Sequence, residues 1–149
     1  MKESKIVFDA SVLTKLFLRE KDSNEVKELI ENFYKENYLI LEPVFLKTEI
    51  YSILAGKLLR TEINQNDFEE ALYIFLNLDI QYFDDSNLLD KSLKIAVNTK
   101  LPTIYDSIYL TLALEQNALL ITADQKFINS LNADYLKKAS LLSLWYDKL

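Results

Sequence analysis

Two stretches, Ile6-Val7-Phe8-Asp9-Ala10-Ser11-Val12-Leu13 and Leu120-Ile121-Thr122-Ala123-Asp124, share one pattern. Each is an unbroken apolar run that reaches an aspartate and then passes into a helix. A run with no alternation is a strand buried on both faces, and such strands belong to parallel sheets covered by helices. Working outward, Tyr38 to Leu41 and Ile80 to Phe83 are further runs of strand length. Between them the apolar spacing predicts helices over 11–20, 22–35, 43–60, 66–77, 86–99 and 106–116, with a short one opened by Asp124. Pro43 is expected in the first turn of the third helix. Leu89, Leu93 and Ala96-Val97 are expected to form the inward stripe of the fifth. From Tyr135 a short strand and a helical tail containing Trp145 are expected. Alternation of strands and helices predicts an α/β class, a parallel central sheet flanked by helices on both faces. At 149 residues the chain suits a single domain spanning residues 1–149.

The residues that are missing narrow the chemistry. The chain has no histidine and no cysteine, which excludes imidazole bases, Ser-His-Asp catalysis, thiol nucleophiles and zinc ribbons. Gly56 is the only glycine, so neither a dinucleotide fingerprint nor a Walker loop is present. Carboxylates, hydroxyls, lysines and two arginines remain, and the natural companion of carboxylates alone is a hard divalent cation such as Mg²⁺ or Mn²⁺. The net charge of −6 argues against an architectural DNA binder. No signal-peptide or membrane-spanning pattern is visible, and the absence of cysteine suits a reducing cytoplasm.

In open parallel sheets ligands bind beyond the carboxyl ends of the strands. Asp9 follows the first strand and Asp124 stands two residues past the fourth, while Asp106 opens the helix leading into that fourth strand. Each alone is well explained as a helix cap. Glu49 is harder to explain so: it lies four residues from Phe45 and Ile53 and three from Leu46, on their apolar stripe. A buried carboxylate needs a cation, a proton or hydrogen bonds. Four acids converging on one pocket would repel, and metal ions held by oxygen ligands would neutralise them.

The segments carrying these acids resemble, in order, the motifs of the PIN-domain family. They are Ile6 to Leu13; Pro43 followed by Glu49-Ile50-Tyr51-Ser52-Ile53-Leu54; Leu101 to Leu110 with Ala113; and Leu120 to Phe127. The resemblance covers nearly the whole chain, at the size of the compact VapC-type toxins. It implies a single PIN-like domain and a Mg²⁺- or Mn²⁺-dependent endoribonuclease that hydrolyses RNA with a metal-activated water. The products would carry a 5′-phosphate and a 3′-hydroxyl. It assigns Asp9, Glu49, Asp106 and Asp124 as catalytic metal ligands, with Ser11 and Thr122 as supporting hydroxyls. It also implies the toxin of a type II toxin–antitoxin pair, with a small antitoxin partner. The alternatives are a PIN-like RNA-processing nuclease outside such a pair, or a non-catalytic PIN-fold binding module. The segment after Asn132 matches poorly.

Lys15, Arg19, Lys47 and Lys126, with Lys57 and Arg60, are candidates for steering an RNA backbone; the plainer reading is solvated helix positions. Tyr51, Tyr105 and Tyr109 are candidates for base stacking, with the core as the alternative. Glu42, Asp84 and Asp85 also follow strands, so one of them is a candidate to supplement the site, with turn chemistry as the plainer account. Gly56 is expected to permit close helix packing. The apolar tail, Leu141, Leu142, Leu144, Trp145 and Tyr146, suggests a homodimer, unless those residues fill the core.

Overall fold

The structure, a computed structural model, describes residues 4–149. Five strands form one parallel sheet in the order β3-β2-β1-β4-β5: β1 (Lys5–Phe8), β2 (Leu39–Pro43), β3 (Gln81–Phe83), β4 (Leu119–Thr122) and β5 (Ala139–Leu141). The chain builds β2 and β3 on one side of β1, then β4 and β5 on the other. The topological switch point therefore lies between β1 and β4, where the crevice for a ligand is expected. Ile6, Val7, Phe8, Leu120 and Ile121 are wholly buried, as the unbroken apolar runs require.

The helices are α1 (Ala10–Phe17), α2 (Ser23–Lys35), α3 (Phe45–Leu59), α4 (Gln65–Leu76), α5 (Leu89–Asn98), α6 (Tyr105–Gln116), α7 (Gln125–Ser130), α8 (Ala133–Leu136) and α9 (Ser143–Tyr146). Several sequence expectations shift here. Pro43 is the last residue of β2 and does not begin a helix. It tolerates that place because its missing N–H falls where the ladder to β1 has already ended, after Ile6 and Ile40. The N-terminus of α3 is instead capped from outside, the Phe45 amide donating to Asp85 Oδ1 at 2.9 Å. α1 stops at Phe17, short of Glu20, and α8 was not anticipated.

The inward face of α5 is also different. Leu88, just before the helix, and Ser92, Ile95 and Ala96 are buried, whereas Leu89, Leu93 and Val97 face outward, Leu93 at 55% and Val97 at 66% exposure. The reason is polar: Ser92 Oγ donates to Thr111 Oγ1 at 2.9 Å, and Ser107 Oγ to the Ser92 carbonyl at 2.9 Å. These small side chains join α5 to α6, a contact that a hydrophobic pattern does not register. Gly56 serves no helix packing. A Cβ there would meet the Arg60 guanidinium at 3.0 Å, the far end of a flexible side chain.

The tail closes the core instead of leaving it. Leu142 is buried, the Trp145 ring lies 5.3 Å from Phe33, and the Tyr146 hydroxyl donates to Asp22. Leu144 alone among the five tail residues is exposed. No helix among the described residues is long and apolar enough to cross a membrane.

Candidate active site

Asp9 is the first residue past β1 and the N-cap of α1, its Oδ1 accepting from the Val12 amide at 3.3 Å. It is also the most enclosed of the four acids expected here, at 5% exposure. Ser11 Oγ donates to its Oδ1 and Thr122 Oγ1 donates to its Oδ2. Each hydroxyl in turn accepts a backbone amide from the β4–α7 connection: Ser11 from Ala123 at 3.1 Å, Thr122 from Asp124 at 3.0 Å. The two hydroxyls therefore tie the carboxyl ends of β1 and β4 together across the switch point.

Asp124 caps α7, its Oδ1 accepting from the Phe127 amide at 3.0 Å, while Oδ2 has no hydrogen-bond donor among the described residues. Asp106 lies half-buried in the first turn of α6. Glu49 is half-buried beside Leu46 and Ile50 on α3, at the edge of the stripe and not within it. Its Oε1 accepts from the hydroxyl of Tyr109, a wholly buried residue, at 2.7 Å.

Electrostatics couple these acids. Burial pushes the Asp9 carboxyl up to about 7, against the lowering effect of the Ser11 and Thr122 hydrogen bonds, with the Asp106 charge adding to the rise. Burial raises Asp106 to about 6, with the charges of Asp124 and Glu49 contributing. Glu49 is raised by burial, and the Tyr109 hydroxyl opposes the shift. The four acids thus face one another's charge at the switch point. Among the described residues no three acidic side chains are gathered as ligands of one ion. The all-oxygen donor set, and the cost of ionising it together, fit a hard divalent cation.

The structure divides the remaining candidates. Lys15 is committed to Glu20 and Asp22, at 3.3 and 2.8 Å, and Lys47 lies over the Tyr82 ring at 4.3 Å. Lys57 and Arg60 are both engaged by Glu62. Arg19 and Lys126 are exposed and carry no ion pair among the described residues. Tyr105 is half-exposed and stacks on Phe45 with centroids 5.1 Å apart, and Tyr51 is exposed. Tyr109 belongs to the core, and its role as donor to Glu49 was not legible in the sequence. Turn and cap chemistry does account for Asp84, which accepts from Ser86, and for Asp85. It does not account for Glu42, which is wholly buried.

A parallel α/β sheet with aspartates at adjacent strand ends and a glutamate on a neighbouring helix defines a class of acidic, oxygen-ligand sites. The PIN-domain family model matches residues 6–130, and the chain belongs to that family. None of the curated proteins matches. Among solved structures the fold is similar to PAE2754 from Pyrobaculum aerophilum, at 21% identity and a TM-score of 0.64 over 97% of this chain and 88% of that one. It is similar also to VapBC2 from Rickettsia felis bound to a promoter DNA fragment, at 14% identity and a TM-score of 0.65 over 92% and 98%. A third is Mycobacterium tuberculosis VapC20, a sarcin–ricin loop cleaving toxin, at 9% identity and a TM-score of 0.60 over 89% and 93%. Family and neighbours together support a nuclease.

Proposed function

We propose that this protein is a Mg²⁺- or Mn²⁺-dependent endoribonuclease acting in the cytoplasm, the toxin of a toxin–antitoxin pair. The observation that carries the reading is the buried Asp9 carboxylate, clamped by two hydroxyls at the switch point and facing the charge of Asp106. When bound there, a divalent ion supplies Lewis acidity for a phosphodiester and its attacking water. Asp9, Glu49, Asp106 and Asp124 would hold it. Ser11 and Thr122 keep both Asp9 oxygens oriented, as outer-shell partners of a ligand do. The Tyr109 hydroxyl does the same for one oxygen of Glu49. Of the expected backbone-steering residues, only Arg19 and Lys126 are exposed without an ion pair among the described residues, so the salt dependence of RNA binding should be shallow.

The test uses purified protein, structured RNAs and Mn²⁺, with the Glu49→Gln protein and an EDTA control alongside. Cleavage is expected to be lost in both. Cleavage that survives equally in Glu49→Gln would mark a contaminant and remove the proposal. Expression should also arrest growth, and co-expression of the small open reading frame beside its gene should relieve the arrest. That expectation draws on the neighbours that are toxin–antitoxin complexes, including one from Klebsiella pneumoniae. Growth arrest that the neighbouring frame leaves untouched would exclude the antitoxin partner and leave a nuclease outside such a pair.

A homodimer remains part of the reading, but on a different face from the tail. Leu89, Leu93 and Val97 form an exposed stripe with Leu93 central and the others four residues to either side. An antiparallel copy of α5 would set Leu89 against the partner's Val97 about a two-fold axis, as an isologous contact requires. Leu93→Lys should convert a dimer to a monomer in light scattering; a wild type already monomeric at high concentration would exclude the contact.

A further inference from the structure

The edge of the sheet opposite the acids carries the reverse charge. Lys5 opens β1 and Lys138 immediately precedes β5, so both stand at the amino-terminal ends of strands. With Lys137, Asn117, Tyr38 and Trp145 they line an open pocket of about 300 Å³. No acidic side chain among the described residues lines it, in a chain whose net charge is −6. Lys5 and Lys138 are half-buried and carry no ion pair among the described residues. Lys137 has one, to Asp134 at 3.6 Å, between two side chains that stand largely in water. Lys138 Nζ donates to Asn117 Oδ1, which leaves the Asn117 amide N–H groups as further donors. Like charges gathered around one opening raise the local concentration of anions. β1 is four residues long, so about 13 Å of extended chain separates this pocket from Asp9.

Two aromatic rings give the pocket a second chemistry. The buried Phe33 ring packs on Tyr38 with centroids 4.8 Å apart and on Trp145 at 5.3 Å, so one core residue holds both in place. The Trp145 indole N–H donates to Ser140 Oγ at 3.0 Å, which fixes the plane of its ring. Both rings are only half-buried and line the opening. Lys148 lies over Trp145 at 4.1 Å and adds a further cation to this end of the molecule. Lysines beside fixed, partly open rings suit a polyanion whose charges alternate with flat bases, as in single-stranded RNA. An acidic peptide would use the lysines and leave the rings without a partner. Lys5, Lys137, Lys138 and Trp145 all fall outside residues 6–130, the part of the chain that the family model matches.

We propose that this pocket is an anchor for single-stranded RNA, remote from the acidic site, with a phosphate at Lys5 and Lys138 and the adjoining base against Trp145. The inference rests on the reading of the protein as an enzyme that cuts RNA, but its test does not require cleavage. Trp145 is the only tryptophan, so its fluorescence reports on the pocket directly. A short single-stranded RNA is titrated, in EDTA to separate binding from cleavage, into the wild-type protein and a Lys5→Gln/Lys138→Gln double variant. Saturable quenching is expected in the wild type, with affinity weaker by about tenfold in the variant. Adenosine monophosphate and a glutamate-rich peptide, titrated alongside, should quench far less. No quenching by RNA, or equal affinity in the variant, overturns the anchor even where the cleavage assay succeeds. A response to the mononucleotide or to the peptide that matches the response to RNA gives the pocket another ligand and also overturns it. Lysine-dependent quenching in a protein that cuts no RNA upholds the anchor and removes the nuclease reading instead. Should the double variant fail to fold, ultraviolet crosslinking of the wild type to thiouridine-labelled RNA decides: crosslinks at Tyr38 or Trp145 support the anchor, and crosslinks confined to the surroundings of Asp9 and Asp124 overturn it.

Discussion

Asp9→Asn is expected to abolish cleavage and at the same time to make the metal-free protein more stable. Both effects follow from one buried charge. Cleavage should fall more than about 100-fold, beyond the 10–100-fold typical of losing an outer-shell partner, because Asp9 would be a ligand itself. Stability should rise because burial places the Asp9 carboxyl at about 7, above the 3.8 of an exposed aspartate. Ionising it in the folded state costs on the order of 4 kcal/mol at high pH. The asparagine recovers part of this, since its amide must turn Ser11 or Thr122 from donor to acceptor while each already accepts a backbone amide. A net gain of roughly 2 kcal/mol corresponds to a melting temperature higher by about 4–8 °C for a chain of this size. Differential scanning calorimetry at pH 8 in EDTA reads it. A variant that melts lower than the wild type would show that Asp9 is a structural cap and not a poised ligand.

Without divalent ions, wild-type stability should fall as pH rises from about 4 to about 7, and Mn²⁺ should abolish the fall. Asp9 is raised to about 7 and Asp106 to about 6, so in this window the folded state holds protons that the unfolded chain has already released. Stability then decreases with pH, and the contribution of neutral Asp9 is complete below about 4 and lost above about 7. Paired carboxylates act in the opposite sense. The Lys15 hydrogen bond helps to hold Asp22 below its usual value, so its contribution is lost on acidification below that value. The two trends separate because only the first responds to metal, which binds deprotonated carboxylates and so stabilises the folded state increasingly as pH rises. Thermal melts at half-unit steps from pH 4 to 8, with EDTA or Mn²⁺, should diverge upward from about pH 5. Parallel curves across the range would mean that the acids do not act together on an ion.

Most of the architecture was legible before any coordinates, for a reason specific to parallel sheets. Their strands are buried on both faces, so Ile6-Val7-Phe8 and Leu120-Ile121 announce themselves as apolar runs, and the aspartates beyond them fall where such sheets bind ligands. Glu49 was legible as a charge beside an apolar stripe, and Ser11 and Thr122 through the family motifs. What stayed hidden depends on what lies across from a residue, not on its neighbours along the chain. Glu42 reads as a turn acid until β1 and β2 part and its carboxylate takes the Phe8 amide. Tyr109 reads as core until α6 sets its hydroxyl 2.7 Å from Glu49. The leucine stripe of α5 reads as inward until Ser92, Ser107 and Thr111 bond helix to helix and turn Leu93 outward. Periodicity is a property of one segment and can reveal which residues would favour burial; which face is buried, and which buried oxygen is left unpartnered, is decided by the packing of segments distant in sequence.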